Sequence, residues 1–199
     1  MLTEITLILD RSGSMQSIAS DAIGGFNAFL AAQRREPDTG PEPSSDITRF
    51  TLVLFDDQYE VPIKSILLTE VPDLNDKTFL PRGSTALLDA MGRTLSKMTR
   101  SFAARPAEAR PAKVIVAILT DGLENASHDY TQHHIADLIT EKRAQGWDFV
   151  FLAANQDAIA TAAALRIDAA DAMNFVASSL GTADAFDAMS AKVAEKRRK

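Results

Sequence analysis

Oxygen-bearing side chains follow the first apolar run of the sequence at regular spacing. Residues 7–15 read L-I-L-D-R-S-G-S-M, so the carboxylate of Asp10 is followed by two hydroxyls at alternate positions, Ser12 and Ser14. One carboxylate with two hydroxyls could place three oxygen donors around a single point. The same residues could instead serve as a helix N-cap and as turn residues.

Two other loops carry the same kind of side chain. Asp121 follows the apolar run K-V-I-V-A-I-L, and Thr85 precedes a long helical pattern. Oxygen ligands suit a hard divalent cation such as Mg²⁺, Mn²⁺ or Ca²⁺. The sequence therefore indicates a cation site with these candidate ligands: Asp10, Ser12, Ser14, Thr85 and Asp121.

The elements that must position these loops alternate between strands and helices. Short apolar runs predict strands at Ile5–Leu9, Arg49–Phe55, Tyr59–Leu67, Lys113–Leu119, Asp148–Leu152 and Ala172–Phe175. Helical periodicity predicts helices near residues 18–30, 87–102, 131–145, 157–165 and 182–196. This alternation predicts a parallel sheet with helices on both faces, with binding groups beyond the carboxyl ends of the strands. A short link at 56–58 makes the second and third strands an antiparallel hairpin.

The three polar loops resemble a known motif. The segments D-R-S-G-S, G-S-T-A-L-L-D-A and L-T-D-G are similar to the metal-ion-dependent adhesion site (MIDAS) of von Willebrand factor A (VWA) domains. That family's pattern is Asp-x-Ser-x-Ser, a later Thr and a later Asp, and all five positions are matched in order. The resemblance covers roughly residues 3–178 and extends to small bacterial proteins that consist of little beyond this domain.

The resemblance implies both a fold and a function. The fold would be a doubly wound, Rossmann-like α/β domain with a mostly parallel sheet and one antiparallel edge strand. It would form a single domain over residues 1–199, with a C-terminal helix and charged tail at 182–199. In the family, three hydroxyls contact the ion, while the carboxylates often act through waters. An Asp or Glu from a protein partner completes the coordination, so the resemblance implies a Mg²⁺-dependent protein-binding module, with Mn²⁺ or Ca²⁺ as alternative ions, and not an enzyme.

Two enzymatic hypotheses are alternatives to that interpretation. A Mg²⁺-dependent phosphatase could use Asp10 as its nucleophile. Such an enzyme normally has a second aspartate two residues later as its general acid, and here that position is Ser12. A serine hydrolase could use Ser12 or Ser14, but the sequence around them lacks the Gly-x-Ser-x-Gly turn of such enzymes.

The composition and the N-terminal sequence limit the classes of partner and the cellular locations that we expect for this protein. The chain has 199 residues, a net charge of −6 and no cysteine, which argues against a nucleic-acid partner and excludes disulfides and thiol chemistry. Its N-terminus shows no secretion signal and its apolar runs are too short to cross a bilayer, so we expect a cytoplasmic protein without a membrane span. The chain is long enough to bury a sizeable core.

Several polar residues near these loops have simpler explanations. Asp56 and Asp57 are expected in the hairpin turn, and Asp89 is expected to interact with the dipole of its own helix. Glu124, Asn125 and Asn155 are candidates for the rim of the site, where they could influence partner choice.

Other features are interpreted as structural. His133 and His134 point to different faces of a predicted helix, so a zinc site with His128 is not expected. Gly24-Gly25 is expected to let its helix lie close to the sheet. The charged tail Glu195–Lys199 is expected to be frayed, and its basic end Lys196–Lys199 is expected to be solvated or, alternatively, to contact an anionic surface.

Overall fold

The computed structural model describes residues 1–35, 47–154 and 157–198, and Asn155 and Lys199 lie outside the described residues. The strands are β1 Leu2–Asp10, β2 Ile47–Phe55, β3 Tyr59–Leu67, β4 Lys113–Thr120, β5 Trp147–Ala154 and β6 Ala172–Phe175. The helices are α1 Ala19–Arg35, α2 Leu87–Ala103, α3 Gln132–Ala144, α4 Ala158–Ala164 and α5 Ser179–Arg198. A 3-10 helix at Gly13–Ile18 leads into α1.

The strands form one six-stranded sheet in the order β3-β2-β1-β4-β5-β6. Strand β3 is antiparallel to β2 at one edge, whereas the other neighbouring strands are parallel. This arrangement confirms the predicted fold class. The chain leaves β1 toward β2 on one side and returns to β4 on the other, so the strand order reverses at β1. Binding groups of open α/β sheets lie at such a reversal, beyond the carboxyl ends of the strands.

Helices cover both faces of the sheet, and alternating residues of β1 show how. Leu7 and Leu9 pack into a core with α1 and α5, while Ile8 packs into a second core with α2, α3 and α4. All three side chains are completely buried. A central strand buried on both faces is expected to be nearly all apolar, which explains the apolar run V-I-V-A-I-L of β4.

Helix α1 packs tightly against α5 at Gly25. A Cβ atom at Gly25 would lie 2.2 Å from Cδ2 of Phe186, so only glycine fits there. Gly24 is exposed, with nothing within 4 Å of a Cβ at that position. The expectation that the glycine pair brings the helix close to the sheet is therefore wrong: one glycine allows a contact between two helices, and the other faces solvent.

The C-terminal end of α5 is anchored, which corrects the prediction of a frayed tail. Lys196 is only 6% exposed, and its Nζ lies 3.2 Å from Asp148 Oδ1 and 2.8 Å from Asp171 Oδ2. Arg197 donates a hydrogen bond of 2.7 Å to the carbonyl oxygen of Gln33. Within residues 1–35, 47–154 and 157–198, no helix is both long and apolar enough to cross a membrane.

Candidate metal centre

The loops that follow β1 and precede α2 are joined by backbone hydrogen bonds. The amide of Gly13 donates to the carbonyl oxygen of Gly83 at 3.1 Å, and the amide of Arg82 donates to the carbonyl oxygen of Arg11 at 2.9 Å. The third loop follows β4, which is the direct neighbour of β1. The sheet order therefore brings all three sequence motifs to one place.

Asp10 lies at the end of β1 and is completely buried. Its Oδ1 accepts a hydrogen bond of 2.7 Å from the amide of Ser12, and its Oδ2 accepts one of 2.6 Å from the hydroxyl of Thr120. Burial disfavours the charged form and raises the pKa of Asp10 to about 6, although these hydrogen bonds oppose the shift. Asp10 therefore holds the first loop against the end of β4.

Three hydroxyls and a second carboxylate lie close together near the carboxyl ends of β1 and β4. The Oγ atoms of Ser12 and Ser14 are 3.0 Å apart, and Ser14 Oγ donates a hydrogen bond of 2.5 Å to Asp121 Oδ1. A Cβ atom placed on Gly122 would lie 2.9 Å from Thr85 Oγ1, 3.3 Å from Ser14 Oγ and 3.8 Å from Ser12 Oγ. The absence of a side chain at Gly122 thus leaves space that three hydroxyl oxygens face.

Thr85 is held in this position by the loop after β4. The backbone amide of Thr85 donates to Asn125 Oδ1 at 2.9 Å, and the carbonyl oxygen of Thr85 accepts from the amide of Asn125 at 3.0 Å. The neighbouring Glu124 accepts a hydrogen bond of 2.9 Å from the amide of Leu88 in the first turn of α2. Both side chains therefore position the start of α2 and the Thr85 loop, a role that the rim interpretation missed.

An ion-pair network built around the buried Asp56 connects two of the loops. Asp56 is completely buried, and its Oδ2 accepts hydrogen bonds from Nε of Arg11 at 3.1 Å and Nε of Arg82 at 2.9 Å. Glu60 on β3 accepts hydrogen bonds from the same two arginines, and the contact with Arg11 is the main cause that lowers the pKa of Glu60. Asp56 is therefore more than the turn residue predicted: it ties the loop after β1 to the loop before α2. Asp57 is exposed, as a turn residue is expected to be.

Solved structures with a similar fold identify the architecture. The vWF domain of the type V pili tip protein Mfa5 from Porphyromonas gingivalis superposes with a TM-score of 0.61 at 13% identity, covering 96% of this chain and 94% of that one. Proximal thread matrix protein 1 (PTMP1) from the mussel byssus, in a form with a zinc-occupied MIDAS motif, gives a TM-score of 0.61 at 15% identity. This superposition covers 96% of the present chain and 46% of PTMP1, so the chain spans about half the length of that protein.

The chain has the fold of a von Willebrand factor A domain. A third VWA-like match, the manganese-loaded TRAP protein of Plasmodium vivax, has a TM-score of 0.52 at 17% identity and covers 76% of this chain and 56% of that one. Neither a protein-family model nor a curated protein sequence matches the chain. At these identities the similarity establishes the VWA fold, and the chemistry of the site depends on the residues themselves.

The residues at the VWA sheet edge fit a hard divalent cation. Their donors are oxygens, two of the groups are carboxylates, and the hydroxyls converge on open space over Gly122. A surface depression of about 420 Å³ lies there, lined by Ser12, Ser14, Thr85, Asp121 and other residues of the three loops. Asp10 does not line it. Among the described residues, no three His, Asp or Glu side chains are grouped to hold a metal ion, so hydroxyl ligands would be essential at this site.

Leu123 is a rim residue that the sequence did not suggest. It lines the depression and is 62% exposed, which is unusual for a large apolar side chain. In the sequence, only its position directly after Asp121-Gly122 could have indicated that Leu123 lies at the rim.

Among the other sequence candidates, Asn125 lines the depression, as predicted for a rim residue, whereas Glu124 and Asp89 do not line it. Asp89 is in the first turn of α2, where it accepts backbone hydrogen bonds from His128, Asp129 and Tyr130. Burial alone would favour the neutral form, but these bonds lower the pKa of Asp89. Asp89 thus fixes the loop before α3 and does more than interact with its own helix dipole. The His133 side chain is 80% exposed.

Proposed function

We propose that this chain is a divalent-cation-dependent protein-binding module. Its ion site would consist of Ser12, Ser14 and Thr85 as direct ligands, with Asp10 and Asp121 supplying the negative charge. The observation that carries this proposal is the convergence of three hydroxyl oxygens on the space over Gly122, with Asp121 hydrogen-bonded to Ser14. The match of all five residues to the MIDAS pattern supports the same assignment.

The charge balance of the site favours recognition of an acidic group. A bound divalent cation would act as a Lewis acid with an open coordination position. The proposed direct ligands are neutral hydroxyls, which would leave the ion electrophilic, and Asp10 is too deeply buried to line the depression. An Asp or Glu side chain of a partner would therefore add favourable charge, and Leu123 at the rim could pack against apolar residues beside it.

The surroundings of Asp10 favour binding over phosphoryl transfer. A nucleophilic carboxylate must reach the substrate, whereas Asp10 is completely buried and each of its oxygens accepts a hydrogen bond from the protein. Ser12 and Ser14 have no histidine beside them in the depression that could act as general base. These observations support a non-catalytic role.

The identity of the ion and the cellular location remain part of the proposal. Mg²⁺ is our first choice because hydroxyl and carboxylate oxygens suit it, although the similar structures include a zinc-occupied MIDAS and a manganese-loaded protein. The expected cytoplasmic location stays a prediction, since Mfa5 is a pilus-tip protein and PTMP1 belongs to the mussel byssus.

Binding to an array of peptide pairs tests this function. Each pair presents the same peptide with Glu or with Gln at one position, and the full chain is applied with MgCl₂ or with EDTA. We expect a set of Glu peptides that bind at least tenfold more strongly than their Gln partners, and only with Mg²⁺. Ser14→Ala should abolish this binding, whereas the matched control Ser17→Ala, on the exposed side of the same turn, should retain it.

Two results would contradict the proposal. Binding that is equally strong in EDTA would show that the interaction does not depend on a cation. Equal binding of the Glu and Gln forms of every retained peptide would show that no carboxylate completes the site.

A further inference from the structure

A second cavity lies on the α2 face of the sheet, away from the ion site. It has a volume of about 790 Å³, within the range of small-molecule binding sites. Strands β1, β2 and β3 and helix α2 all contribute to its lining. Glu4, which lines it, precedes Asp10 by six residues of extended strand, so the two side chains are about 20 Å apart. The cavity is therefore separate from the candidate metal centre.

The cavity contains a buried carboxylate with an unsatisfied oxygen. Glu4 is 2% exposed, and its Oε2 has no hydrogen-bond partner. A buried polar atom without a partner is unfavourable and uncommon in a folded protein. Glu4 lines the cavity, so a donor group entering from solvent could supply the missing hydrogen bond.

The rim of the cavity has an unusual backbone. Ser65 has φ 48°, a left-handed conformation that residues other than glycine seldom adopt. Its amide donates a hydrogen bond of 3.0 Å to Thr51 Oγ1, and its carbonyl oxygen accepts one of 2.5 Å from Arg49. The pairing of β2 with β3 shifts register nearby. Strained backbone of this kind occurs preferentially at ligand sites.

The charges around the cavity are predominantly positive. Four cationic side chains line it together with the single carboxylate of Glu4, namely Lys64, Lys97, Arg100 and Arg105. Lys97 Nζ lies 4.2 Å from the ring centroid of Tyr59, at the side of the cavity formed by β3. Partial burial, together with the positive charges of Arg93, Lys64 and Arg100, lowers the pKa of Lys97. An anion would relieve this repulsion.

Apolar side chains form the body of the cavity. Val53, Met98 and Phe102 are buried or nearly so, and all three line it. A ligand that fills this space therefore needs an apolar or aromatic body between its two polar ends.

We propose that this cavity binds a small organic anion with an apolar body, whose acidic group contacts Lys97 and Arg100 and whose hydrogen-bond donor reaches Glu4. The site is independent of the proposed ion-dependent function, because none of the five candidate metal ligands lines it. The acidic group could be a carboxylate, a sulfonate or a phosphate, since each would complement the same cationic side chains.

Chemical-shift mapping with three related probes tests this assignment. The full chain labelled with ¹⁵N is titrated with 2-naphthoate, 6-hydroxy-2-naphthoate and neutral 2-naphthamide. We expect saturable binding of the two anions with Kd on the order of 1 mM or lower, as is usual for ligands of this size. The shifts should cluster on α2 and β3, the hydroxylated probe should bind more tightly, and the amide should bind at least fivefold more weakly.

Single substitutions separate the contributions of Lys97 and Glu4 to binding of the probes. Lys97→Glu should weaken binding of 2-naphthoate at least fivefold, whereas the control Lys77→Glu, exposed on a distant loop, should leave it unchanged. Glu4→Leu should remove the advantage of the hydroxylated probe while 2-naphthoate still binds. Shifts that map elsewhere, equal binding of the neutral amide, or an unchanged Kd in Lys97→Glu would overturn the proposal.

Discussion

Ser14 and Asp121 are 107 positions apart in the sequence, yet the Ser14 hydroxyl donates a hydrogen bond of 2.5 Å to Oδ1 of Asp121. The contact exists because β1 and β4 are neighbouring parallel strands whose carboxyl ends lie side by side. The contact adds a carboxylate to the cluster of hydroxyl oxygens from Ser12, Ser14 and Thr85 that face Gly122. This contact brings two sequence motifs, each weak alone, into one candidate ion site.

Gly122→Ala should abolish metal binding without unfolding the protein. The new methyl group would lie 2.9 Å from Thr85 Oγ1 and within 4 Å of the hydroxyls of Ser12 and Ser14, in the space assigned to the ion. The backbone of Gly122 does not require a positive φ, so alanine can adopt it. Isothermal calorimetry should show at least a tenfold loss of Mg²⁺ affinity with little change in Tm. Unaltered affinity would place the ion elsewhere.

The stability of the metal-free protein should fall as the pH rises from about 4 to about 6. In this interval folded Asp10, with a pKa of about 6, retains a proton that the unfolded chain, with a pKa near 3.8, has lost. Folding therefore binds a proton, and the free energy of unfolding decreases with pH by on the order of 2 kcal/mol from this group.

Urea unfolding of wild type and Asp10→Asn in chelator-treated buffer isolates this effect. The stability of Asp10→Asn relative to wild type should increase between pH 4 and pH 7, because the amide does not ionise. Saturating Mg²⁺ should offset the decrease in wild type. A stability difference that stays constant over this range would mean that Asp10 is not perturbed.

Asp56→Ala should destabilise the fold by about 3 kcal/mol, because it leaves the guanidinium of Arg11 buried beside an empty space. Arg11 is only 4% exposed and depends on Asp56 for a charge-assisted hydrogen bond. The adjacent Asp57→Ala, at an exposed position, is the matched control and should change stability by less than about 0.5 kcal/mol. Urea denaturation compares the two, and equal effects would argue against the network.

Gly25→Ala should destabilise the packing of α1 against α5 by about 1–3 kcal/mol, since its Cβ would overlap the ring of Phe186. Gly24→Ala, one residue earlier, should instead stabilise the protein by about 0.5–1 kcal/mol because it removes an exposed glycine from a helix. Opposite shifts in Tm are therefore expected from the same substitution at adjacent positions. Shifts of the same sign would contradict this account of the interface.

The sequence predicted the fold well where patterns are local. Strands β3 and β6 have the predicted bounds, and β3 begins directly after the polar turn Asp56-Asp57-Gln58. The meeting of Asp10, Ser12, Ser14, Thr85 and Asp121 also followed from strand order, although their role as ligands stays a prediction. The interpretation of residues 1–199 as a single domain likewise stays a prediction.

Interactions between distant segments were not predictable in the same way. Asp56 looked like a turn residue because its partners, Arg11 and Arg82, are 45 and 26 positions away. Glu124 looked like a rim residue, but it caps α2 through the amide of Leu88. In both cases the side chain has an ordinary local explanation, and only the packing of loops shows its main contact.

The central claim is that five side chains from three loops form one divalent-cation site. Titration of Mg²⁺ and Mn²⁺ into chelator-treated protein by isothermal calorimetry tests it most directly, with Ser14→Ala and Asp121→Asn beside the control Ser17→Ala. We expect one saturable site in wild type and in Ser17→Ala, and at least a tenfold loss of affinity in the other two variants. Absence of binding in wild type, or wild-type affinity in Ser14→Ala and Asp121→Asn, would contradict it.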